Sequence, residues 1–171
     1  MINDLTLLSK FDSSQVELNM ASLRLDLLVR DIGNLFKILA EQKGIDLQVG
    51  QVQEVTILGD KVRLQQLFTN LIDNAIKYTP EGSIQVVVEK DEGNAVVQVR
   101  DTGIGIPREE QEKIFKRFYR VDRSRSKESG GVGLGLSIAE WVAHAHRGRI
   151  EVDSELNQGS TFTVYLPLQK A

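Results

Sequence analysis

The residues of this chain best suited to chemistry sit in Arg63–Tyr78, RLQQLFTNLIDNAIKY, where Asn70 and Asn74 stand one helical turn apart and Lys77 follows. Asparagine is a mediocre helix former because its amide competes for nearby backbone groups. On a helix, Arg63, Gln66, Asn70, Asn74 and Lys77 line one side, with Asp73 beside them. Such a seam could offer carboxamide oxygens to a hard cation such as magnesium and an ammonium to a phosphate. It fits a solvated helix face equally well, and the helix by itself does not choose.

Two glycine-containing stretches add candidates. In Asp101-Thr-Gly-Ile-Gly-Ile-Pro107 the carboxylate follows a strand-like run, where an acceptor-only group suits the exocyclic amine of adenine. The alternative is an Asp-Gly turn, with Pro107 opening the next helix. In Gly130-Gly-Val-Gly-Leu-Gly-Leu136 the glycines expose backbone amides just before a helix, whose N-terminus favours anions. That stretch is neither a Walker motif nor a Rossmann fingerprint, and a flexible hinge explains it as well. Between the two, Ile114–Asp122 reads as a short helix anchored by Phe115 and Phe118. The basic run Arg123–Ser129 after it reads as a lid able to bring Arg120 or Arg123 to a phosphate. For Ser124–Lys127 a solvated loop is the preferred reading.

The elements that must position these groups follow from apolar spacing. Leu64, Leu67, Phe68, Leu71, Ile72 and Ala75 give the polar-seamed helix its buried face. Met1–Asp12 reads as the end of a helix, and Val16–Met20 as a short strand. Ser22 is the expected N-cap of a long helix to Lys43, with Leu23, Leu27, Leu28, Ile32, Leu35, Phe36 and Leu39 as its core stripe. Strands are expected at 45–49, 54–58, 84–89, 95–100, 149–153 and 161–166, with a helix at 136–145. Interspersed strands and helices with hairpins predict an α+β fold: a two-layer sandwich with a mixed, mostly antiparallel sheet and helices on one face.

Composition narrows the function. At 171 residues the chain suits one domain with a sizeable core. A net charge of −3 argues against non-specific nucleic-acid binding, and the lack of cysteine removes thiolate chemistry. The missing thiols fit a cytoplasmic setting. No apolar run reaches the roughly 20 residues that span a bilayer, so no membrane contact by this segment is expected, although a longer parent protein could be membrane-anchored.

The ordered set NLIDNAIKY, DTGIGIP, IFKRFYRVD, GGVGLGLSIAEWV and GSTFTVYLP resembles the catalytic, ATP-binding domain of two-component sensor histidine kinases. That domain has the Bergerat-type fold shared by gyrase, the Hsp90 chaperones and the MutL repair proteins. The first four segments match the family's N, G1, F and G2 boxes in order and spacing. The resemblance implies that Asn70 and Asn74 hold magnesium, that Lys77 and Arg120 meet phosphates, and that Tyr78 packs at the nucleotide. It implies that Asp101 reads the adenine amine, supported by Thr161, with Gly103 and Gly105 admitting the base and Ile106 near it. Gly131, Gly133, Leu134, Gly135 and Leu136 would cradle the phosphate chain. Residues 1–14 would be the remnant of the dimerisation helix and its linker, and 15–171 the catalytic domain.

The implied reaction transfers the γ-phosphoryl group of Mg-ATP to a histidine on an upstream helix, for relay to an aspartate of a response regulator. Only His144 and His146 are present, near the end of the Trp141 helix, where a partly charged imidazole would complement the helix dipole. Neither adjoins an acidic residue, and neither is expected to accept phosphate. The segment is expected to be a monomer and its parent a homodimer. Two rivals stand beside this reading: a gyrase- or chaperone-type ATPase and a non-catalytic ATP-sensing module. The ATPases usually carry a water-activating glutamate where this chain has Asn70.

Overall fold

A computed structural model describes residues 16–121 and 132–169. The expected helix at Met1–Asp12 lies outside them, as do Gly131 and the basic run after Asp122. Among the described residues seven strands and three helices follow in the order β1 (Ala21–Arg24), α1 (Leu25–Gln42), β2 (Ile45–Val52), β3 (Thr56–Gly59), α2 (Lys61–Tyr78), β4 (Gly82–Asp91), β5 (Asn94–Asp101), α3 (Gly135–Ala145), β6 (Arg149–Glu155) and β7 (Gly159–Pro167). A 3-10 turn at Arg108–Glu110 lies between β5 and α3.

The main sheet runs β2-β4-β5-β7-β6, parallel at β2–β4 and antiparallel elsewhere, while β1 and β3 form a separate antiparallel pair. This is the expected α+β sandwich. One face of β4 buries Ile84, Val86 and Val88 beneath the helices, and β5 adds Val97 and Val99. The α2 stripe is buried as its spacing predicts, with Ile76 added. Asp60 starts that helix by accepting the amides of Val62 and Arg63, satisfying two of its orphan donors.

The N-terminal region departs from expectation. Val16–Met20 is not a strand; the strand is Ala21–Arg24, fixed by its pairing with β3. Ser22 therefore lies inside β1 and cannot be the N-cap of α1. Arg24 holds that position without a side-chain cap, and buried Asp26 in the first turn ties Arg24 to Val55. The buried face of α1 is Leu25, Leu28, Val29, Ile32 and Ala40, while Leu27, Leu35 and Leu39 are exposed. The face that meets the sheet is thus rotated from the expected stripe, toward Leu25, Val29 and Ala40 and away from those three leucines.

The segment before α3 is also less regular than its apolar spacing suggests. Residues 111–118 form successive turns rather than a helix. Phe115 packs edge-on against Phe162 at 6.4 Å. Phe118 is 55% exposed with φ at 61°, because its amide is drawn to the Gly133 carbonyl at 2.9 Å, so it anchors nothing in the core.

Candidate functional site

The exposed-looking half of α2 is not simply solvated. Arg63, Gln66, Asn70 and Asn74 are half-buried, and Asn70 Nδ2 donates to the Gly135 carbonyl at 3.0 Å. That bond brings the seam of α2 against the N-terminus of α3, where the glycine-rich stretch ends. With Nδ2 committed, Asn70 Oδ1 remains as an oxygen donor, and Asn74 lies one turn further along. The pair fits a hard cation that takes most of its remaining ligands from phosphate oxygens and water. Lys77 is held by Asp73 at 2.5 Å, so its ammonium is paired within α2 in this conformation.

The amides of the first turn of α3 belong to the anion-favouring end of the helix. Leu134 is buried and its carbonyl accepts from Ser137 Oγ and the Ile138 amide, which fixes the entry into the helix. Leu136 packs against the core. Gly133 has φ at 79°, and a Cβ there would stand 2.9 Å from the Tyr119 carbonyl, so the start of this stretch is packed on the Phe118–Tyr119 turn. Arg120 lies just beyond that turn and is half-buried.

Asp101 closes the other end. It terminates β5, is 6% exposed, and accepts the Gly103 amide at 2.8 Å. Burial pushes its carboxyl above the ordinary aspartate range, and the amides of Gly103 and Ser160 partly offset that push. A buried acceptor held by two backbone donors is well placed to select a ligand that brings an N–H of its own.

Gly103 and Gly105 both stand where a side chain would strike the backbone of another segment. A Cβ on Gly103 would lie 2.2 Å from the Tyr78 carbonyl, and one on Gly105 would lie 2.0 Å from the Glu155 carbonyl. Both glycines let the loop press on the protein itself, between the end of α2 and the β6–β7 hairpin. The Ile104 amide donates to Tyr78 O, and the Ile106 amide donates to Ser154 Oγ. Tyr78 is thus a backbone anchor for the loop, and the residue is 43% exposed. Thr79, the next residue, carries a buried hydroxyl with no hydrogen-bond partner among the described residues.

Thr161 does not support Asp101. The β5–β7 register sets it opposite Arg100, whose Nε donates to the Thr161 hydroxyl at 3.3 Å. Side chains alternate between faces along a strand, so Thr161 faces away from Asp101. Ser160 is the register partner of Asp101, and its hydroxyl meets Ser154 Oγ at 2.9 Å. Strand parity could have pointed to Ser160 once the register was fixed, but no single-residue signal does.

His146 also differs from expectation. It is 4% exposed, accepts the Asp60 amide at Nε2 (2.9 Å) and donates from Nδ1 to Val142 O (2.7 Å). Burial holds its pKa below the ordinary histidine value, with the Val142 bond and nearby Asp60 opposing. A neutral ring clamps the start of α2 to the end of α3; it is not a cation at a helix terminus. His144 is exposed.

The family profile described as histidine kinase-, DNA gyrase B- and HSP90-like ATPase matches residues 59–170. The chain belongs to this family. Within it, the chain corresponds to the ATP-binding catalytic domain of sensor histidine kinases. It is 42% identical over 170 residues to the sensor histidine kinase RppB of a Synechocystis species, covering 98% of this chain and 37% of that protein. Among solved structures, full-length ShkA in complex with AMPPNP superposes with a TM-score of 0.88 at 30% identity, covering 99% of this chain and 35% of ShkA. The nucleotide-free catalytic domain of the histidine kinase ThkA gives a TM-score of 0.77 at 29% identity, covering 88% of this chain and 97% of that domain. The chain thus spans less than half of the curated relatives it matches. In this chain the Asn70 bond to Gly135 joins α2 to the N-terminus of α3, and the Ile104 amide ties the loop after β5 to the end of α2.

Proposed function

We propose that this domain binds Mg-ATP between α2, the Asp101 loop and the start of α3, and presents the γ-phosphoryl group to a histidine on a separate helix for relay to a response-regulator aspartate. The observation that carries the reading is the Asn70–Gly135 hydrogen bond, which sets a carboxamide oxygen beside the amides of the α3 N-terminus. Asp101 would accept the adenine amine, and Ser160 would hold it in place through its amide. Asn70 and Asn74 would hold magnesium, which supplies charge neutralisation on the phosphates. Gly133, Leu134, Gly135 and Leu136 would line the phosphate chain. Arg120 and Lys77 would reach the terminal phosphate, Lys77 by exchanging Asp73 for it. Phosphoryl transfer needs positioning and charge neutralisation from the protein more than a covalent nucleophile, and the site offers carboxamides, cations and amides.

The phosphoacceptor in this reading comes from another segment or another chain. His146 has both ring nitrogens engaged inside the fold, which suits a structural role. Incubation of the purified chain with γ-labelled ATP and magnesium tests the assignment. The expected result is saturable binding, no label retained on protein, and labelling of a supplied dimerisation helix bearing a histidine followed by an acidic residue. Label on His144 or His146, or steady hydrolysis with no transfer to the helix, would sink it.

A further inference from the structure

β6 ends the five-stranded sheet, and among the described residues its only strand partner is β7. An open strand edge is a template for another chain unless it is covered or made selective. The Ser154 carbonyl shows which way its outer groups point: it accepts Gln111 Nε2 at 2.8 Å from outside the sheet. Backbone groups alternate in an antiparallel ladder, so the N–H and C=O of Val152 and Ile150 are directed to the same side. Gln111 occupies the Ser154 end of that edge, and Val152 and Ile150 follow further along it.

Beside that stretch lies an open cleft of about 410 Å³ between the 111–115 turns, α3 and β6. Its floor is apolar, formed by Phe115, Ile150 and Val152, and its rim carries Glu112, Glu140 and Glu151. On the outward face of β6, Glu151, Asp153 and Glu155 are exposed. The one cation on the strand, Arg149, is paired with Glu151 at 2.7 Å and lies over the Tyr165 ring. Carboxylates therefore flank both sides of the edge. A second copy of β6 placed alongside would set like charges against each other, which is unfavourable; a basic strand would be favoured.

We propose that the β6 edge and its cleft form a docking site for an extended, basic segment of a partner protein. The segment adds to the sheet as an outer strand beside Ile150 and Val152, seats one bulky apolar side chain on Phe115, and aims lysines or arginines at Glu112 and Glu140. Main-chain bonds supply affinity, while the cleft and the carboxylates supply specificity. None of these groups belongs to the nucleotide site, so the two functions can fail separately.

The test uses a fluorescein-labelled, capped peptide of about ten residues that alternates lysine with valine around a central phenylalanine. Anisotropy with this chain should show saturable binding, and amide exchange should slow at Ile150 and Val152. N-methylation of the peptide along its pairing edge should weaken binding about tenfold or more. Val152→Pro removes the outward N–H, a change tolerated on edges, together with the valine side chain that packs on the core; it should weaken binding about tenfold more than Val152→Ala does, with nucleotide affinity retained and a melting temperature no lower than that of Val152→Ala. Glu112→Lys with Glu140→Lys should weaken binding and flatten its salt dependence. Equal affinity for the N-methylated peptide or for an acidic counterpart, or absence of saturable binding, overturns the proposal. So does light scattering that shows a dimer abolished by Val152→Pro, which would make the occupant a second copy.

Discussion

Asn70 and Gly135, 65 positions apart in the chain, are joined by a 3.0 Å hydrogen bond from carboxamide to backbone carbonyl. The bond sets the geometry of the site, since it locks the polar side of α2 to the entry of α3 and orients Oδ1 away from that contact. Asn70→Asp keeps an oxygen at this position but cannot donate, and it places a carboxylate against a carbonyl. The expected outcome is a loss of about 1–3 kcal/mol of stability in denaturant melts. Affinity for Mg-ATP, measured by calorimetry with and without magnesium, should fall about tenfold or more. Asn74→Ala leaves the Asn70–Gly135 bond in place, so it should weaken magnesium-dependent binding while leaving the melting temperature nearly unchanged.

Asp101 carries an opposite balance of stability and function. Its folded-state pKa is raised by burial, so its contribution to stability is fully present below the unfolded value of about 3.9 and is lost as pH rises through the folded value. At neutral pH the carboxylate is a cost to the fold. Asp101→Asn should therefore melt no lower than the parent at pH 7 while binding ATP much more weakly. Thr161→Ala should change nucleotide affinity by less than about twofold, because its hydroxyl faces Arg100. A large effect of Thr161→Ala in calorimetry would contradict the register-based placement.

Much of the fold was legible because apolar spacing is a local signal. The α2 stripe and the strands of the main sheet fall where their spacing puts them, with boundaries extended by a few residues. The Asn70–Gly135 contact was not legible in itself; only the ordered set of segments implied that these residues meet. The errors have a common physical source, since each depended on a long-range partner. Thr161 and Ser160 differ only by strand parity, which the pairing of β5 with β7 decides. The exposure of Leu35 and Leu39 follows from which face of α1 packs on the rest of the fold, and that depends on neighbours distant in sequence. For Gly103 and Gly105 the sequence carried no sign of the Tyr78 and Glu155 carbonyls that press on them from elsewhere in the chain.

Asp26 gives an acid-sensitive anchor for α1. Arg24 hydrogen-bonds it through Nε and Nη2 at 2.9 and 2.7 Å, and this contact, opposed by burial and aided by the Val55 amide, lowers its pKa to about 2. The stability it contributes is present above the unfolded value near 3.9 and is lost as pH falls toward 2. Asp26→Ala should lose about 1–3 kcal/mol at pH 7, since the buried Val55 amide forfeits its acceptor. Chemical denaturation of the variant should show a weaker decline than the parent between pH 4 and pH 2.

His146 predicts a second, separable pH window. The imidazole must stay neutral to accept the Asp60 amide at Nε2 while Nδ1 donates to Val142 O. Protonation converts Nε2 into a donor facing a donor, so the clamp between α2 and α3 opens. Its folded pKa is depressed, which means that the unfolded chain takes up the proton first. The stabilisation is therefore complete above the unfolded value of about 6.5 and declines as pH falls below it. Asp60, the charged group that faces the ring, has its own carboxyl held low: burial pushes it up, but the amides of Asn19, Arg63 and Val62 outweigh that push. It stays ionised across the histidine window and softens the loss without cancelling it. His146→Gln keeps an acceptor that does not titrate, so its melting temperature should be lower than the parent's at pH 7 but flat from about pH 6.5 to 5, where the parent's falls. An identical slope in both proteins would assign the acid sensitivity of the fold to other groups.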